Sequence, residues 1–497
     1  MPRYPFATNY ERKDYHNLDF MELEASRVGP GENGAKFVVT DAEDFGKNKE
    51  FLKTFGMFAG LSDIISVNRS VPDVRLPSCR HKAYLQQLSK VSIVIVFFDE
   101  YFSVLLRTIH SIYNRTPREL LHEIILINDN STMSELYEPL EDYVKQNFNG
   151  IVKIFVQNER RGLMIGRLEG AKIAKGEVLV FLDSQVEVNV NWLPPLLEPI
   201  ALTPRVVTTP IIDSIVYDTF EYRKSDDGGR GMLNWDLFYR RFPRRAEDSL
   251  KLDEPIPSPI MVGTAFAINR QNFWDLGAYD DGLKVFQGEN LELSFKAHLC
   301  GGGLVECPCS RIAHHRNINF KRFGDDGVDY MIRNFKRIAE VWLDDYKEVV
   351  YQRNKQRYTK ADVGDLVRAK QIKMGLHCKP FSYFLEFVAP EMLERYPLVD
   401  PGLFAQGVIQ SKANPELCVE APKTGKARKI TLESCEKNLV QPSVKQFFKL
   451  SWHRNIQHFI YDYCLQDSLT MAECHFKGGN QFWKYDLVIE SHLLGWK

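Results

Sequence analysis

Residues 91–130 read "VSIVIVFFDEYFSVLLRTIHSIYNRTPRELLHEIILINDN", and this stretch decides the fold class. Its opening, "VSIVIVFF", is a continuous apolar and β-branched run, which is typical of a strand buried on both faces. In "YFSVLLRTIHSIY" the apolar residues recur at helical spacing on one face: Phe102, Leu105, Leu106, Ile109, Ile112 and Tyr113. The run "EIILIND" then predicts a second buried strand.

The alternation continues up to Asp183. The segment "MSELYEPLEDYVKQNF" predicts a helix, "IVKIFVQN" a third strand, "GLMIGRLEGAKIAKG" a glycine-containing helix and "EVLVFLD" a fourth strand. Strands that alternate with amphipathic helices predict an α/β, Rossmann-like and mostly parallel sheet covered on both faces. The polar, loop-rich residues 1–80 predict an arm wrapped on this body, with one helical stretch near residues 51–59.

Charged residues follow each predicted strand. They are Asp99 and Glu100 after the first strand, Asp129 after the second, Arg160 and Arg161 after the third, and Asp183 after the fourth. Each alone could serve a loop or a helix cap, but ligands of such sheets bind beyond the carboxyl ends of the strands. The segment "FFDEYFS" has no glycine, which argues against a dinucleotide fingerprint or a P-loop. An Asp-x-ligand motif after an apolar strand suits a divalent ion shared with a diphosphate.

Composition and charge limit the kinds of partner that the protein could bind. The 497 residues carry a formal net charge of -1, so no overall field favours nucleic acid or an anionic membrane, and no nucleic-acid partner is expected. The longest apolar runs are far shorter than the roughly 20 residues that span a bilayer. The N-terminal residues lack the features of a signal peptide, so a secretory protein would need a targeting segment that this sequence does not contain.

The sequence resembles the polypeptide N-acetylgalactosaminyltransferases, which join a GT-A catalytic domain to a C-terminal ricin-type lectin domain. The blocks "LLRTIHSI", "FLDSQVEVNVNWL", "PIIDSIVYDTFEY", "GENLELSFKAHLCGG" and "AEVWLDDYK" occur in the family's order, and the resemblance runs from Asn68 to Asp486. It implies a GT-A sheet followed by a small all-β, truncated β-trefoil. The expected parts are an N-terminal arm (1–85), the GT-A domain (86–380), a linker (381–402) and a lectin domain (403–497) whose third repeat is largely missing.

The resemblance also implies an activity and its residues. The activity is retaining transfer of N-acetylgalactosamine from UDP-GalNAc to Ser or Thr of peptides or glycopeptides. The implied UDP-sugar residues are Asp129, Arg160, Asp183, Gly263 and His314. The implied Mn²⁺ ligands are Asp183 and His314, with Gln185 as a candidate third ligand. The implied catalytic residues are Glu289 and Asn290.

Several positions depart from the family pattern. Gln185 stands where the family has a metal-binding histidine; manganese accepts oxygen donors, so weaker binding is expected. His315 could offer a nearby nitrogen, although a surface position is the more ordinary expectation. The other departures are Thr264 for a glycine, Phe286 and Gln287 before Glu289, and Asn317 and Arg322 in the lid "HRNINFKRFGDDG". They leave two further hypotheses open: a binder of UDP or glycopeptide without turnover, and a relative with another donor sugar.

The nine cysteines give information on disulfides and on the cellular compartment. The four in the last quarter of the chain suggest disulfides and an oxidising compartment, with metal binding as the weaker alternative because no CxxC pair occurs there. The resemblance implies the pairs Cys79–Cys309, Cys300–Cys378, Cys418–Cys435 and Cys464–Cys474, with Cys307 left over. It also implies a Golgi type II membrane protein, whose membrane contact would be through an anchor that is not visible here.

The lectin-like segment departs from its family too. Glu420 in "CVE" and Gln466 in "CLQ" stand where a sugar-binding aspartate is usual, so a structural or weakly binding domain is expected. Trp483 is expected in the core of this domain.

Overall fold

The computed structural model describes residues 10–226, 228–315, 327–399, 401–422, 428–436, 444–458, 463–474 and 479–484. The chain divides into two compact units, Met1–Met392 and Leu393–Lys497. The finer domain limits at residues 85, 380 and 402 stay predictions. Among the described residues, no helix combines the length and apolar character needed to cross a membrane.

Four parallel strands form one half of the main sheet in the first unit. They are β1 (Val91–Phe97), β2 (Leu121–Asn128), β3 (Val152–Val156) and β4 (Val178–Leu182), in the order β3-β2-β1-β4. The helices α1 (Phe102–Arg115), α2 (Glu138–Asn147) and α3 (Leu163–Ile173) connect them. Every residue of β1 is buried, and the apolar face of α1 packs into the same core. The predicted α/β architecture is confirmed.

The other half of the sheet is mixed. The strands β5 (Val207–Ile215), β6 (Ala265–Asn269) and β7 (Leu304–His315) continue it, with β6 antiparallel to both β4 and β5 and β7 parallel to β5. Short strands at Val186–Val188 and Ile256–Pro257 pair with β7, and Tyr222–Arg223 pairs with β5. The apolar run of β6 carries no information on strand direction, so the sequence did not predict this antiparallel insertion.

Further helices surround the sheet. Three of them are α4 (Pro194–Leu202), α5 (Glu289–Leu299) and α6 (Tyr330–Trp342). The other α- and π-helical segments after β5 are Arg270–Asp275, Lys347–Arg353, Lys355–Lys360, Val367–Gly375, Phe381–Tyr383, Phe384–Val388 and Glu391–Arg395. Two antiparallel strands, Arg230–Leu233 and Tyr239–Phe242, form a separate ribbon.

The N-terminal arm packs on the sheet through buried ion pairs. Arg69 binds Glu187 at 2.7 Å with both side chains almost fully buried, and Glu24 pairs with Arg115 of α1. Removing one partner of such a pair leaves an uncompensated buried charge, which costs about 3–5 kcal/mol. The arm helices are Leu18–Ala25, Ala42–Phe55 and Gly60–Ile64.

The helix predicted near residues 51–59 is displaced in the structure. It spans Ala42–Phe55 and ends at Gly56, whose φ of 72° provides a left-handed C-terminal cap. The prediction was wrong about the bounds because it followed the aromatic run and overlooked Asp41, which caps the helix by accepting hydrogen bonds from the amides of Glu43 and Asp44.

The four disulfides implied by the resemblance are all present, and Cys307 is a buried free thiol. Cys79–Cys309 ties the arm to β7, and Cys300–Cys378 ties the residue after α5 to the segment after Val367–Gly375. These bridges close long loops, which limits the conformational freedom of the unfolded chain.

The second unit is built from antiparallel strands. A six-stranded sheet has the order Ala405–Gly407, Phe448–Leu450, Ile456–His458, Tyr463–Leu465, Thr470–Glu473, Arg428–Lys429, and Leu417–Glu420 pairs with Thr431–Ser434. Trp483 packs against the apolar core of this unit and donates its indole N–H to the Leu465 carbonyl at 2.9 Å. Trp483 is partly buried, so it lies at the edge of this core and not, as the sequence had suggested, inside it.

Two helical glycines provide a test of the packing of α3. A Cβ atom at Gly170 would lie 2.3 Å from Cγ1 of Val94 in β1, whereas one at Gly46 would have no neighbour within 4 Å. We expect Gly170→Ala to destabilise the protein by about 1–3 kcal/mol through overpacking. The matched Gly46→Ala should stabilise it by about 0.5–1 kcal/mol through the lower entropy of alanine. Urea unfolding followed by tryptophan fluorescence measures both, and a Gly170→Ala variant as stable as Gly46→Ala would contradict the close packing.

Candidate functional site

Asp129 organises the turn that precedes α3. Its Oδ1 accepts a hydrogen bond from the Arg161 amide and its Oδ2 accepts one from the Gly162 amide, both at 2.8 Å. Burial raises the pKa of Asp129 above its usual range, and these amides oppose that shift. The turn presents Arg160, whose guanidinium lies 3.7 Å from the centre of the Phe98 ring. The structure therefore brings the predicted Asp129 and Arg160 to one edge of the sheet.

Asp183 and His314 meet at the ends of β4 and β7. Their Oδ2 and Nε2 atoms are 3.5 Å apart, and each side chain keeps about a quarter of its surface exposed (27% and 25%). The backbone amide of Asp183 donates to the Thr264 carbonyl at 3.0 Å. The short strand Val186–Val188, which follows Asp183, pairs with β7 with Val186 opposite His314. This pairing places the two predicted metal ligands side by side, at a partly open position.

Gln185 supplies an unsatisfied acceptor near this pair. Its Oε1 is buried and has no hydrogen-bond partner in the part of the chain that the structure describes. A buried polar atom without a partner is costly, and a bound cation would satisfy it. No group of three or more His, Cys, Asp or Glu side chains within the described ranges is placed to hold a metal. A set of one carboxylate, one imidazole and one amide oxygen suits manganese, so these residues fit the implied ion.

His315 is not on the surface, and its side chain does not lie on the same face of β7 as that of His314. It is 1% exposed, and its ring packs edge-on against Phe220 with the ring centres 4.6 Å apart. Burial lowers the pKa of His315 well below its usual range, and the charges of Arg107 and Arg69 add to that effect. The expectation of a surface position was wrong, because consecutive residues of a strand point to opposite faces and His315 faces the arm side of β7.

Glu289 begins α5 and is buried beside Arg167. Its Oε1 is 3.8 Å from Nη1 of Arg167, and its Oε2 has no hydrogen-bond partner among the described residues. Burial raises the pKa of Glu289, and the positive charge of Arg167 opposes the rise. The site therefore holds a buried carboxylate with one oxygen available to a ligand.

Arg167 of α3 was missed by the sequence reasoning. Its Nη2 donates to Asp183 Oδ1 at 3.1 Å and to the Gly263 carbonyl at 3.0 Å. The only local signal is the Gly166 and Gly170 pair, four residues apart, which lets this part of α3 lie close to β1. A lone arginine in a helix nevertheless reads as a solvent-exposed residue when its distant partners are unknown.

Gly263 and Asn290 complete the wall around Glu289. Gly263 has a φ of 94°, and a Cβ atom there would lie 2.9 Å from Asn290 Cβ and 3.2 Å from Glu289 Oε1. The amide nitrogen of Asn290 donates to the Met261 carbonyl at 3.0 Å. Only glycine suits this conformation and this close approach.

A strained loop leads into Glu289. Val285 and Gln287 have φ angles of 60° and 76°, which are unfavourable for residues other than glycine, and most of all for a β-branched valine. The buried side chain of Asn334 holds this loop: its amide donates to three carbonyls and its oxygen accepts from the Lys284 amide. The Val285 carbonyl also accepts the Leu163 amide of α3 at 2.8 Å. The loop therefore links the Asp129 turn to the start of α5.

Asp99 and Glu100, which follow β1, have structural roles. Asp99 accepts hydrogen bonds from the amide and hydroxyl of Thr132 and so stabilises the loop. Glu100 is buried and accepts a hydrogen bond from the Ser184 hydroxyl at 2.7 Å. Burial raises the pKa of Glu100 to about 7. The predicted lid positions Asn317 and Arg322 lie outside the described residues.

Comparisons with known proteins identify the families that this chain resembles. Residues 92–277 match glycosyl transferase family 2, and residues 405–492 match the ricin-type beta-trefoil lectin domain. N-acetylgalactosaminyltransferase 4 of Drosophila melanogaster is 43% identical over 486 residues, which cover 96% of this chain and 76% of that protein. Polypeptide N-acetylgalactosaminyltransferase 10 of Mus musculus is 39% identical over 488 residues, covering 95% and 79%.

A solved structure gives the same result. The crystal structure of GalNAc-T7 with UDP, GalNAc and Mn²⁺ has a TM-score of 0.71 at 33% identity, covering 93% of this chain and 85% of that chain. Together these similarities confirm the predicted GT-A sheet and the ricin-type second unit.

The hydrogen bonds of Asn334 to the loop before α5 can be tested directly. Asn334→Ala removes the donor from three loop carbonyls and the acceptor from the Lys284 amide, so we expect a loss of about 3 kcal/mol or more in unfolding free energy. Hydrogen exchange should accelerate in residues 284–288. Asn334→Asp retains the acceptor for the Lys284 amide but places a carboxylate oxygen against the three carbonyls, so it should accelerate exchange in the same residues. Unchanged exchange in Asn334→Ala would show that the loop does not depend on this side chain.

Proposed function

The chain belongs to the polypeptide N-acetylgalactosaminyltransferase family, and from that premise we propose that it transfers N-acetylgalactosamine from UDP-GalNAc to Ser or Thr of polypeptides with retention of configuration. The observation that carries the proposal is the pairing of Asp183 with His314, 3.5 Å apart at a partly open edge of a GT-A sheet. The relatives are named as transferases, and they give no support to the alternative of a binder without turnover.

The proposed donor site runs along the carboxyl edge of the sheet. Asp129 fixes the turn that presents Arg160, and the guanidinium of Arg160 supplies positive charge for UDP. Gly263 lets its backbone approach Glu289 and Asn290 closely, which a side chain there would prevent. Asp183 and His314 face the diphosphate in this proposal.

Mn²⁺ would be held by Asp183, Gln185 and His314. When bound, it neutralises the charge that develops on the departing diphosphate. The orphaned Oε1 of Gln185 supports its inclusion, since a buried acceptor without a donor suits a cation. GalNAc-T7 was solved with Mn²⁺, which supports the same ion here.

Glu289 and Asn290 would act on the sugar and the acceptor. Retention requires the acceptor hydroxyl to enter from the face that the diphosphate leaves, so the residues beside that face must orient both groups. Glu289 Oε2, which lacks a partner among the described residues, can accept a hydrogen bond from the substrate. The side chain of Asn290 is oriented by its hydrogen bond to the Met261 carbonyl. Both would contribute mainly by positioning.

We also propose a role for the second unit and a cellular compartment for the protein. Glu420 is engaged by Gln446 at 3.2 Å and by Lys445 at 3.5 Å, and Gln466 accepts the Thr470 hydroxyl at 3.0 Å. These contacts occupy atoms that a sugar would need, which supports a structural or weakly binding role. The four disulfides favour an oxidising compartment, and we place the protein in the Golgi lumen with its family.

A transfer assay tests the activity. Purified protein, UDP-GalNAc and Mn²⁺ are incubated with a panel of Ser- and Thr-containing peptides and their GalNAc-modified forms, and products are identified by mass spectrometry. We expect transfer that Glu289→Gln reduces by about 100-fold or more, a loss typical of a group needed in the transition state. Parallel reactions with other UDP-sugars test whether Thr264 and Gln287 alter donor choice. Wild-type protein that modifies no acceptor would refute the proposal.

Gln185 provides a prediction specific to this chain. Gln185→His replaces a neutral amide oxygen by an imidazole nitrogen, a better ligand for manganese, so the dissociation constant of Mn²⁺ should fall by about tenfold, or about 1.4 kcal/mol. Gln185→Ala should raise it. Calorimetric titration of Mn²⁺ in the presence of UDP measures both, and equal affinities in all three proteins would show that Gln185 does not contact the ion.

A further inference from the structure

Arg167 is a buried charge in the middle of the site. Its side chain is 1% exposed, and a charge removed from water is unfavourable unless it is paired and hydrogen-bonded. Its partners come from three other segments: Asp183 after β4, Gly263 before β6 and Glu289 at the start of α5. One guanidinium therefore contacts or faces the segments that hold the metal, the sugar and the acceptor.

The contact with Asp183 fixes the orientation of that carboxylate. Arg167 Nη2 binds Oδ1 at 3.1 Å, while Oδ2 faces His314 Nε2 at 3.5 Å. A carboxylate held at one oxygen cannot rotate freely, so the other oxygen stays directed toward His314. Partners that orient metal ligands in this way usually affect metal affinity strongly.

The contact with Glu289 is electrostatic. Nη1 is 3.8 Å from Glu289 Oε1, and the buried Tyr279 also interacts with the guanidinium. The positive charge of Arg167 therefore lies close to the Glu289 carboxylate. Hydrogen bonds of catalytic groups are often long before substrate binds and shorten in the complex.

The fold holds Arg167 rigidly. Gly166 and Gly170 bring α3 into direct contact with Val96 and Val94 of β1, and the guanidinium carbon lies 5.9 and 5.7 Å from the rings of Phe181 and Phe266. A planar guanidinium packed against these two rings has little freedom to move.

We propose that Arg167 is a positioning residue for the transfer reaction, which orients the metal-binding carboxylate of Asp183 and sets the place of Glu289 through one rigid guanidinium. This inference rests on the proposed function. It assigns to Arg167 a coupling between the metal side and the acceptor side of the site.

The experiment compares Arg167→Gln and Arg167→Lys with wild type. Calorimetry gives the Mn²⁺ dissociation constant in the presence of UDP, and steady-state assays give kcat and KM. We expect Arg167→Gln to weaken Mn²⁺ binding and lower kcat, each by about 10- to 100-fold, with a smaller change in the KM of the peptide. Arg167→Lys keeps the charge but loses the fork that reaches both carboxylates, so it should recover part of the Mn²⁺ affinity and less of kcat.

Arg107 offers a matched control. It is another fully buried arginine, on α1, and it donates to the carbonyls of Ser62 and Ile65 outside the site. Arg107→Gln should lower the melting temperature while Mn²⁺ affinity and kcat stay at wild-type values. It separates a loss of stability from a loss of positioning.

Three results would overturn the inference. Folded Arg167 variants with wild-type Mn²⁺ affinity and kcat would do so alone, leaving the proposed function intact. If Arg167→Gln does not fold, Arg167→Lys decides, and an affinity and kcat equal to those of Arg107→Gln would refute the positioning role. A wild-type protein without Mn²⁺-dependent UDP binding and without transfer would overturn the proposed function and this inference together.

Discussion

The close contact of α3 with β1 is the constraint on which the site depends. Gly166 and Gly170 leave no room for side chains between helix and strand, so the position of α3 is set by the buried strand itself. The N-terminal end of α3 then fixes the turn held by Asp129, and its middle carries Arg167 to Asp183 and Glu289. A shift of this helix would move the donor turn and the two carboxylates at once.

A second constraint comes from the loop before α5. Its unfavourable φ angles at Val285 and Gln287 persist because Asn334 and the Leu163 amide bind its carbonyls. Backbone strain is retained in proteins mainly where the surrounding structure enforces it. The strained loop here places Glu289 between Gly263 and Arg167, which supports the proposed role of Glu289 beside the sugar.

The sequence was sufficient for the parts of the fold that depend on local periodicity. The buried run at β1 and the helical spacing of α1 predicted the parallel half of the sheet, and the polar residues after β2 and β4 predicted Asp129 and Asp183 at its edge. The antiparallel β6 and the buried position of His315 were not predicted, because strand direction and the facing of a side chain depend on pairing between distant segments. Arg167 was missed for the same reason: its three contacts come from residues far away in sequence. The pairing of Asp183 with His314 was reached through the family resemblance and not through spacing.

Titration of UDP into the protein, with and without Mn²⁺, on wild type and on Asp183→Ala, tests the central claim most directly. The account predicts that Mn²⁺ strengthens UDP binding to wild type and that Asp183→Ala abolishes the difference, because the ion then loses the carboxylate opposite His314. UDP binding that ignores Mn²⁺ in the wild-type protein would contradict the account, since Asp183, Gln185 and His314 would then form no metal site.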